Sequence, residues 1–391
     1  MARMLTIILW GVVGLLNLAA CSAQGASAAS ILLSQGRASI PQSKDYPDTA
    51  MHVAWNPNGL EFATVNAHLH VLIFNAKTQQ LVRDLGSVPN GRSSASPSVA
   101  YSPDGRYLAA GKDVISIFEV DGGLKVRDIV GPYQNDINGK VSSIIFSPDS
   151  QYLGVIYQDY SLRSAKTGTD MVSAYEVDTG KQLFFVAPPE AYNRGRLTTN
   201  AVYTPDGQFL LIGRVNLVAP DHRMDTGKPS LYSTYIDYVD TQTGKFTKSI
   251  TPVHVMQPMA LAISADGRYV ATGTNTMTKE SKRRGTTDQL DNIDNQDPVR
   301  LWDVGNGKLV REFGPIHDTV QALAISPDGR YLAVDHSLQV IVFDLASGRL
   351  LQTIDLPGQR GISLSLQLAF SPDSKVLAVP LDTYVYLLSL K

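Results

Sequence analysis

The sequence predicts an all-β fold in which seven similar four-stranded units close into a ring. The first observation is a letter-for-letter repeat, because residues 102–109 and 326–333 both read SPDGRYLA. The second is that related stretches recur along the chain, which is the signature of a stacked or radial repeat architecture. The third is length, since 391 residues exceed the roughly 250–300 that share one hydrophobic core. The core must therefore be divided among the units.

One residue, usually proline, marks the same position in each unit. The seven markers are Pro57, Pro103, Pro148, Pro205, Ala265, Pro327 and Pro372. Successive markers are 46, 45, 57, 60, 62 and 45 residues apart. The third, fourth and fifth units are therefore longer than the others.

The sixth unit shows the strand pattern most clearly. VQALAIS at 320–326 alternates apolar and polar residues and predicts a first strand. The following Pro-Asp-Gly predicts a turn, because proline presets φ, aspartate bonds the backbone and glycine adopts positive φ. RYLAV, QVIVFDL and LLQTIDL then predict the second, third and fourth strands. Short strands separated by Gly/Asp turns favour a closed all-β form over helical repeats.

The unit resembles the WD repeat of seven-bladed β-propellers, most clearly at residues 299–303, which end in Trp302 and Asp303. The resemblance extends over roughly residues 31–391 and is to the divergent bacterial members of the YVTN/WD superfamily. It implies a seven-bladed β-propeller. The sequence departs from the family pattern in its polar residues, since only PIHDTV keeps a family-like histidine, His317, and the aspartate expected before a third strand is replaced around Ser337.

The last unit contains only three predicted strands. The N-terminal stretch ILLSQGRASIP at 31–41 resembles the fourth-strand segment SGRLLQTIDLP at 347–357. We therefore expect an N-terminal strand to complete the last blade. Such closure removes the exposed strand edges that invite aggregation.

The N-terminus resembles a bacterial lipoprotein signal peptide. Arg3 precedes an apolar run that ends in a lipobox, Leu18-Ala19-Ala20-Cys21. We expect residues 1–20 to be the signal peptide, residues 21–30 to hold the lipidated cysteine and a flexible tether, and residues 31–391 to form the propeller. An uncleaved membrane helix is the alternative, but the run is shorter than the roughly 20 apolar residues of a span.

The lipid determines the expected location. Acyl chains on Cys21 would anchor the ring to a membrane surface, with no other membrane contact. Ser22 follows the cysteine, which in enteric bacteria favours the outer membrane. We therefore expect a cell-envelope protein on the periplasmic face of the outer membrane, and a monomeric ring.

Composition excludes several functional classes. The formal charge of -2 leaves no basic excess for a nucleic-acid partner. A single cysteine excludes internal disulfides and cysteine-rich metal sites. The short motifs of serine hydrolases, zinc proteases, P-loop proteins and dinucleotide-binding proteins are absent from the sequence. We expect a noncatalytic protein without a cofactor.

The insertions in the third, fourth and fifth units, at residues 158–171, 214–234 and 274–298, all fall between a predicted second and third strand. Such connections lie on one face of a propeller, so three neighbouring blades would present one interaction surface. Tyrosine and arginine are favoured at interfaces, and charged residues cluster in the insertions. The candidate partner-binding residues are Tyr160, Arg163, Tyr192, Arg194, His222, Arg223, Lys282, Arg283 and Arg284. Tolerated surface insertions without a partner are the alternative.

Two weak candidates for a metal site remain. Asp288, Asp291 and Asp294 could hold calcium, but a self-neutralising solvated hairpin explains the same charge pattern, and the segment lacks the spacing of a calcium loop. His68 and His70 alternate, which predicts that they share one side of a strand. They could begin a zinc or copper site, although a surface or packing pair is the simpler interpretation.

Three functional hypotheses follow. The first is a lipid-anchored scaffold or assembly factor that binds another envelope protein through the loops of blades 3–5. The second is a lactonase-like hydrolase or quinoprotein-like oxidoreductase with its site in the central channel. The third is a receptor for a glycan or another extracellular ligand.

Overall fold

The computed structural model describes residues 37–40, 49–89, 97–131, 139–159, 171–186, 196–217, 232–251, 258–274, 299–316, 319–336, 339–357 and 367–390. The described residues form β-strands, turns and connections, with no helix among them. None of these segments is therefore a helix that could span a membrane. The all-β prediction is confirmed.

The strands form seven four-stranded antiparallel sheets, which are the blades. The first strands of blades 1 to 7 are β2 (Ala50–Trp55), β6 (Ser98–Tyr101), β10 (Gly139–Phe146), β14 (Arg196–Tyr203), β18 (Pro258–Ile263), β22 (Val320–Ile325) and β26 (Ala369–Phe370). The second strands are β3 (Glu61–Asn66), β7 (Tyr107–Gly111), β11 (Tyr152–Asp159), β15 (Phe209–Leu217), β19 (Tyr269–Thr274), β23 (Tyr331–His336) and β27 (Val376–Leu381).

The two outer positions of each blade complete the sheets. The third strands are β4 (His70–Asn75), β8 (Val114–Glu119), β12 (Met171–Glu176), β16 (Tyr232–Asp240), β20 (Val299–Asp303), β24 (Gln339–Asp344) and β28 (Tyr384–Ser389). The fourth strands of blades 1 to 6 are β5 (Leu81–Ser87), β9 (Leu124–Val130), β13 (Gln182–Val186), β17 (Phe246–Ile250), β21 (Leu309–Phe313) and β25 (Leu350–Asp355). Blade 7 takes its fourth strand from the N-terminal side, as β1 (Arg37–Ser39).

The blades close into a ring. The first strand of each blade contacts the first strand of the next, and β26 of blade 7 contacts β2 of blade 1. One buried apolar cluster lies between each pair of neighbouring blades, including the pair formed by blades 7 and 1. The protein is a seven-bladed β-propeller. Its core is divided into seven layers, as the chain length requires.

The predicted N-terminal closing strand is present. β1 pairs with β28 in antiparallel register, with Ala38 opposite Val385. Ala38 and the following Ile40 are fully buried between blades 7 and 1. The backbone N–H of Ile40 also donates to the carbonyl of Thr383 at 2.9 Å. The apolar side chains of this short strand therefore hold the seam of the ring together.

The Pro-Asp-Gly turn forms as its residues predict. In blade 2 the N–H of Gly105 donates to the carbonyl of Ser102, and Gly105 has φ of 74°. The carboxylate of Asp104 accepts the Ser102 hydroxyl at 2.6 Å and the N–H of Arg106 at 3.0 Å. The Ser102 hydroxyl in turn accepts the N–H of Tyr107 at 2.8 Å. These bonds end the first strand and start the second.

The antiparallel order gives the ring two distinct faces. Turns between first and second strands, and between third and fourth strands, lie at one end of every blade, which we call the turn face. Connections between second and third strands, and from each blade to the next, lie at the other end, the loop face. First and third strands therefore run from the loop face to the turn face, and second and fourth strands run back.

Candidate interaction face

The three long insertions all begin and end on the loop face. Residues 160–170 connect β11 to β12, residues 218–231 connect β15 to β16, and residues 275–298 connect β19 to β20. In the shorter blade 6, only residues 337 and 338 connect β23 to β24. The predicted position of the insertions, between second and third strands of three neighbouring blades, is confirmed.

The strands extend into the expected insertions, most of all in blades 3 and 4. Gln158 and Asp159 were expected in a connection but extend β11, and residues 214–217 likewise extend β15. In blade 4 the pairing continues until Leu217 lies opposite Tyr232. The physical reason is that strand pairing persists through polar residues when each finds a partner on the neighbouring strand. Two nine-residue strands thus carry the blade 4 insertion.

A buried ion pair joins these two strands below the insertion. Arg214 of β15 and Asp237 of β16 have side chains that are 4% and 2% exposed. The Arg214 Nε and Nη2 donate to the two carboxylate oxygens of Asp237, the latter over 3.1 Å. The hydroxyl of Ser249 on β17 donates to the same carboxylate. The Tyr235 ring lies with its centroid 4.5 Å from the guanidinium carbon.

This arrangement makes the ends of β15 and β16 rigid. A bidentate arginine and carboxylate pair fixes both side chains in one plane. A buried charge is costly unless it is paired and hydrogen-bonded. Removal of either residue would therefore leave the charge of the other buried without a partner. The base of the blade 4 insertion is therefore set by polar contacts rather than by apolar packing alone.

Blade 5 has a different polar contact, nearer the turn face, since Trp302 lies opposite Val270 at that end of β20. The indole Nε1 of Trp302 on β20 donates to the hydroxyl of Thr272 on β19 at 3.0 Å. Trp302 is 7% exposed and Thr272 is fully buried. This tryptophan belongs to the stretch in which the sequence resemblance is clearest, and it joins the second and third strands of the blade through a buried hydrogen bond.

Blade 3 places a pair of tyrosines beneath its insertion. The hydroxyls of Tyr157 on β11 and Tyr175 on β12 are 3.0 Å apart, and both rings are buried. Burial raises the pKa of the Tyr157 hydroxyl well above its usual value, so the group stays neutral. The Tyr157 ring lies against Gly131 at the end of blade 2, where an added Cβ would be 2.4 Å from a ring carbon. Only glycine fits this contact.

All nine sequence-predicted contact residues lie outside the described part of the chain. These are Tyr160, Arg163, Tyr192, Arg194, His222, Arg223, Lys282, Arg283 and Arg284. The lipidation candidate Cys21 and the calcium candidates Asp288, Asp291 and Asp294 also lie outside it, as do His317 and Ser337. These assignments remain predictions.

The two predicted histidines do not share a strand. β4 begins at His70, and His68 lies in the turn before it, separated by Leu69 with φ of 68°. The expected alternation therefore fails, because the positive φ turns the chain between the two residues. His70 Nδ1 lies 3.0 Å from a carboxylate oxygen of Asp84 on β5. Within the described ranges, no three His, Cys, Asp or Glu side chains are grouped as for a metal ion.

A buried histidine on the loop-face half of the seam was not singled out from the sequence. His52 on β2 is 4% exposed, and burial lowers its pKa to about 4, against the smaller opposing effect of a hydrogen bond with Gln367 of blade 7. Its Nδ1 has no hydrogen-bond partner within the described residues. His52 is therefore neutral at ordinary pH.

Sequence reasoning also missed the Arg214 and Asp237 pair. A usable signal existed, since Leu210, Ile212 and Arg214 occupy alternate positions of one strand and share its buried side. An arginine continuing an apolar alternation, with an aspartate in the next strand, is typical of a buried ion pair. The strand register that joins them is available only from the structure.

Comparison with known proteins supports the architecture. The sequence matches no family model and no curated protein. The fold is similar to the crystal structure of the Cps50 (Swd1) β-propeller domain from Myceliophteria thermophila, with a TM-score of 0.64 and 15% sequence identity. The similarity covers 88% of this chain and 97% of that chain. At this identity the likeness concerns the fold alone.

Proposed function

We propose that this protein is a lipid-anchored envelope propeller that binds another protein through its loop face and catalyses no reaction. The observation that carries the proposal is that three neighbouring blades are interrupted at the same connection on one face. Loops on a rigid scaffold are where propellers and other folds carry binding. The propeller architecture suits a protein-interaction scaffold for this reason.

The bases of the three insertions support this proposal. The second and third strands that flank each insertion share a buried polar contact, through Tyr157 in blade 3, Arg214 in blade 4 and Trp302 in blade 5. Rigid attachment lowers the entropy lost when a loop is ordered by a partner.

The membrane anchor rests on the N-terminal sequence. Cys21 is the only cysteine and follows Leu18-Ala19-Ala20, as lipid modification requires. Replacement by serine should abolish incorporation of labelled palmitate, because the lipid is expected on this cysteine. A Cys21→Ser protein that still incorporates the label would contradict lipid anchoring at Cys21.

The interaction face is tested by comparative capture from crosslinked envelopes. The intact lipoprotein is compared with a variant in which residues 275–298 are replaced by Asn-Gly, a turn that suits a two-residue hairpin. A matched control carries Leu60→Ser, an exposed substitution on the turn face of blade 1. Circular dichroism and unfolding midpoints establish that each variant folds.

The expected result is a partner captured by the intact protein and by the control but lost from the loop variant. Equivalent replacements of residues 160–170 and 218–231 then show which blades contribute. A partner that survives all three replacements binds elsewhere, and the loop-face proposal would be wrong. Absence of any captured partner would also count against a scaffold role.

A further inference from the structure

The direction of β1 shows from which side the N-terminal segment reaches the ring. Arg37 lies opposite Tyr386, and Ser39 lies opposite Tyr384, the first residue of β28. Since third strands run from the loop face to the turn face, β1 runs the other way and enters the blade from the turn-face side. Cys21 precedes Arg37 by 16 positions in the sequence.

The turn face also carries exposed apolar side chains. Among the described residues, the exposed large apolar side chains lie at the turn-face ends of the blades, with the single exception of Val130. Most occupy the first positions of the fourth strands, at the outer edge of the ring. We call these the turn rim: Leu81, Val82, Leu124, Val126, Leu183, Leu309, Val310, Leu350 and Leu351.

Exposed cations accompany the turn rim. In blades 3 to 6 the residue that directly follows the turn glycine is basic and exposed, and blades 1 and 2 carry an exposed lysine nearby. These residues are Lys77, Lys125, Lys181, Lys245, Lys308 and Arg349. Within the described residues, only Lys125 among them has an ion pair recorded with a carboxylate, Asp128 at 2.9 Å.

The carboxylates of the same turns are engaged locally. Asp240 accepts the N–H of Thr243 at 2.8 Å and its hydroxyl at 2.7 Å, and Asp344 accepts the corresponding groups of Ser347 at 2.7 and 2.6 Å. The hydroxyls of Thr243 and Ser347 hold the pKa of the two carboxyls below its ordinary value, so both carboxylates stay ionised. An approaching surface therefore meets charges of both signs at the turn face.

Other cations near the rim stabilise the ring itself. Arg83, Arg127 and Arg311 of fourth strands donate to backbone carbonyls of the next blade's outer turn, for example Arg311 to Ser347 at 2.8 Å. They tie neighbouring outer turns together. Because the blades repeat around the ring, these ties hold the rim residues at one height.

We propose that the turn rim rests on the membrane surface, so that the loop face points away from the membrane. Apolar side chains interleaved with charged side chains at one level fit the interfacial region of a bilayer, where the apolar groups enter and the charged groups stay hydrated. This inference rests on the proposed lipid anchor at Cys21. A lipid anchor attaches a protein more stably when a second membrane contact, here the turn rim, supports it. This orientation presents the insertions of blades 3–5 to partners in the aqueous compartment.

The tether alone does not impose this orientation. A coil of sixteen residues would have a root-mean-square span of about 22 Å. A six-residue strand, which joins the two faces of the ring, is about 20 Å long. A tether of that span could therefore also let the loop face contact the membrane. The rim therefore decides which face contacts the lipid, and its removal should randomise the orientation.

Orientation is measured with the full lipoprotein in vesicles of phosphatidylethanolamine and phosphatidylglycerol. A fluorescent label is attached at Gln80→Cys on the turn face or at Ala67→Cys on the loop face, both exposed positions of blade 1. Cys21, the only native cysteine, is blocked by its lipid. Spin-labelled lipid should quench the label at position 80 several-fold more than the label at position 67. Equal quenching or the reverse order would overturn the proposal.

A rim variant tests the cause of the orientation. Leu309→Ser combined with Leu350→Ser changes two exposed rim residues, and Val130→Ser is the matched control, since Val130 is 45% exposed and Leu309 is 46% exposed. The double variant should lose most of the quenching difference, and the control should keep it. A rim variant that keeps the full difference contradicts a role for the rim.

Vesicle flotation separates this inference from the lipid-anchor proposal. A protein that does not float with the vesicles refutes the anchor, and the orientation with it. A protein that floats but shows equal quenching at the two labels refutes the orientation alone. Crosslinking of position 80 to position 80 of a second chain would show that the rim forms a dimer interface instead, which also overturns the proposal.

Discussion

The backbone N–H of Asp104 donates a hydrogen bond to the hydroxyl of Ser150 over 3.0 Å, which joins the first turns of blades 2 and 3. The same contact joins blades 6 and 7, from Asp328 to Ser374 over 3.0 Å. These two serines stand where most other turns have glycine, and they adopt φ of 63° and 61°. Left-handed backbone is unfavourable for serine, and the hydrogen bond between blades compensates for it.

Substitution of Ser150 separates the hydrogen bond from the backbone strain. Ser150→Ala keeps the unfavourable φ and loses the bond, so we expect it to destabilise the protein by about 1 kcal/mol. Ser150→Gly loses the bond but relieves the strain of about 1 kcal/mol, so its stability should stay close to that of the native protein. Urea unfolding midpoints compare them. Because both variants lose the bond, equal stability of the two would show that the backbone strain at residue 150 is absent.

The buried ion pair of blade 4 should be costly to break from one side. Arg214→Met leaves the carboxylate of Asp237 buried without its cation, and we expect a loss of about 3–5 kcal/mol in the free energy of unfolding. Asp237→Leu should cost a similar amount for the same reason.

The double variant, Arg214→Met with Asp237→Leu, is the internal control. It should be more stable than the sum of the single losses predicts, because no unpaired charge remains. Additive losses from the two single changes would mean that the residues do not act as a pair. Urea denaturation of all four proteins completes the cycle.

Acid should weaken the seam between blades 7 and 1 through His52. Burial lowers the pKa of His52 to about 4 in the folded protein, below its ordinary value of 6.5. The unfolded chain therefore binds the proton more readily than the folded one. The stabilising effect is fully present above pH 6.5 and is lost as the pH falls towards 4. The total loss in the free energy of unfolding is about 3 kcal/mol.

The measurement is the free energy of unfolding at several values between pH 7.5 and pH 4. His52→Gln removes the titrating group, and its profile should be flatter over this interval. A variant profile that parallels the native one would assign the acid sensitivity to other groups. The turn aspartates contribute below this window, since the Thr204 hydroxyl lowers the pKa of Asp206 and the Ser264 hydroxyl lowers that of Asp266.

The N-terminal closing strand should be needed for a stable ring. Ile40 is fully buried between blades 7 and 1, so Ile40→Ala should cost about 2–5 kcal/mol. Ser39→Ala is the matched control, because this neighbouring side chain is exposed. Unfolding midpoints test the stability.

Light scattering tests a second consequence of the same change. Loosening β1 uncovers the edge of β28, and an exposed strand edge promotes association between chains. We therefore expect Ile40→Ala to aggregate faster than Ser39→Ala at the same temperature. Comparable behaviour of the two variants would show that β1 contributes little to closure.

The strand order, the turns and the ring closure could be predicted from the sequence because each depends on a local pattern. Alternation in VQALAIS requires only the period of two along a strand, and Pro-Asp-Gly requires only the φ preferences of three adjacent residues. Because the unit repeats, the same assignment of strands and turns applies to all seven blades. The unpaired third strand of blade 7 and the matching stretch before blade 1 together implied the closing strand.

The candidate interaction face could be predicted in position but not in detail. The spacing of the markers placed the insertions between second and third strands, as the structure has them. The boundary at Arg214 was wrong because an isolated arginine is typical of a connection, and only its register with β16 reveals the partner. The placement of His68 on a strand was wrong for a related reason, since the alternation of the two histidines does not reveal the positive φ of Leu69.

By itself, the sequence determined the number of blades, their strand order, the turn chemistry and the division of the core, since all of these follow from short-range preferences repeated along the chain. The tertiary structure decided which residues meet across the blades. Asp104 and Ser150 are 46 positions apart, and His52 lies on β2 while Gln367 precedes β26 at the other end of the chain. Such contacts depend on register and on closure of the ring, which no local pattern of residues encodes.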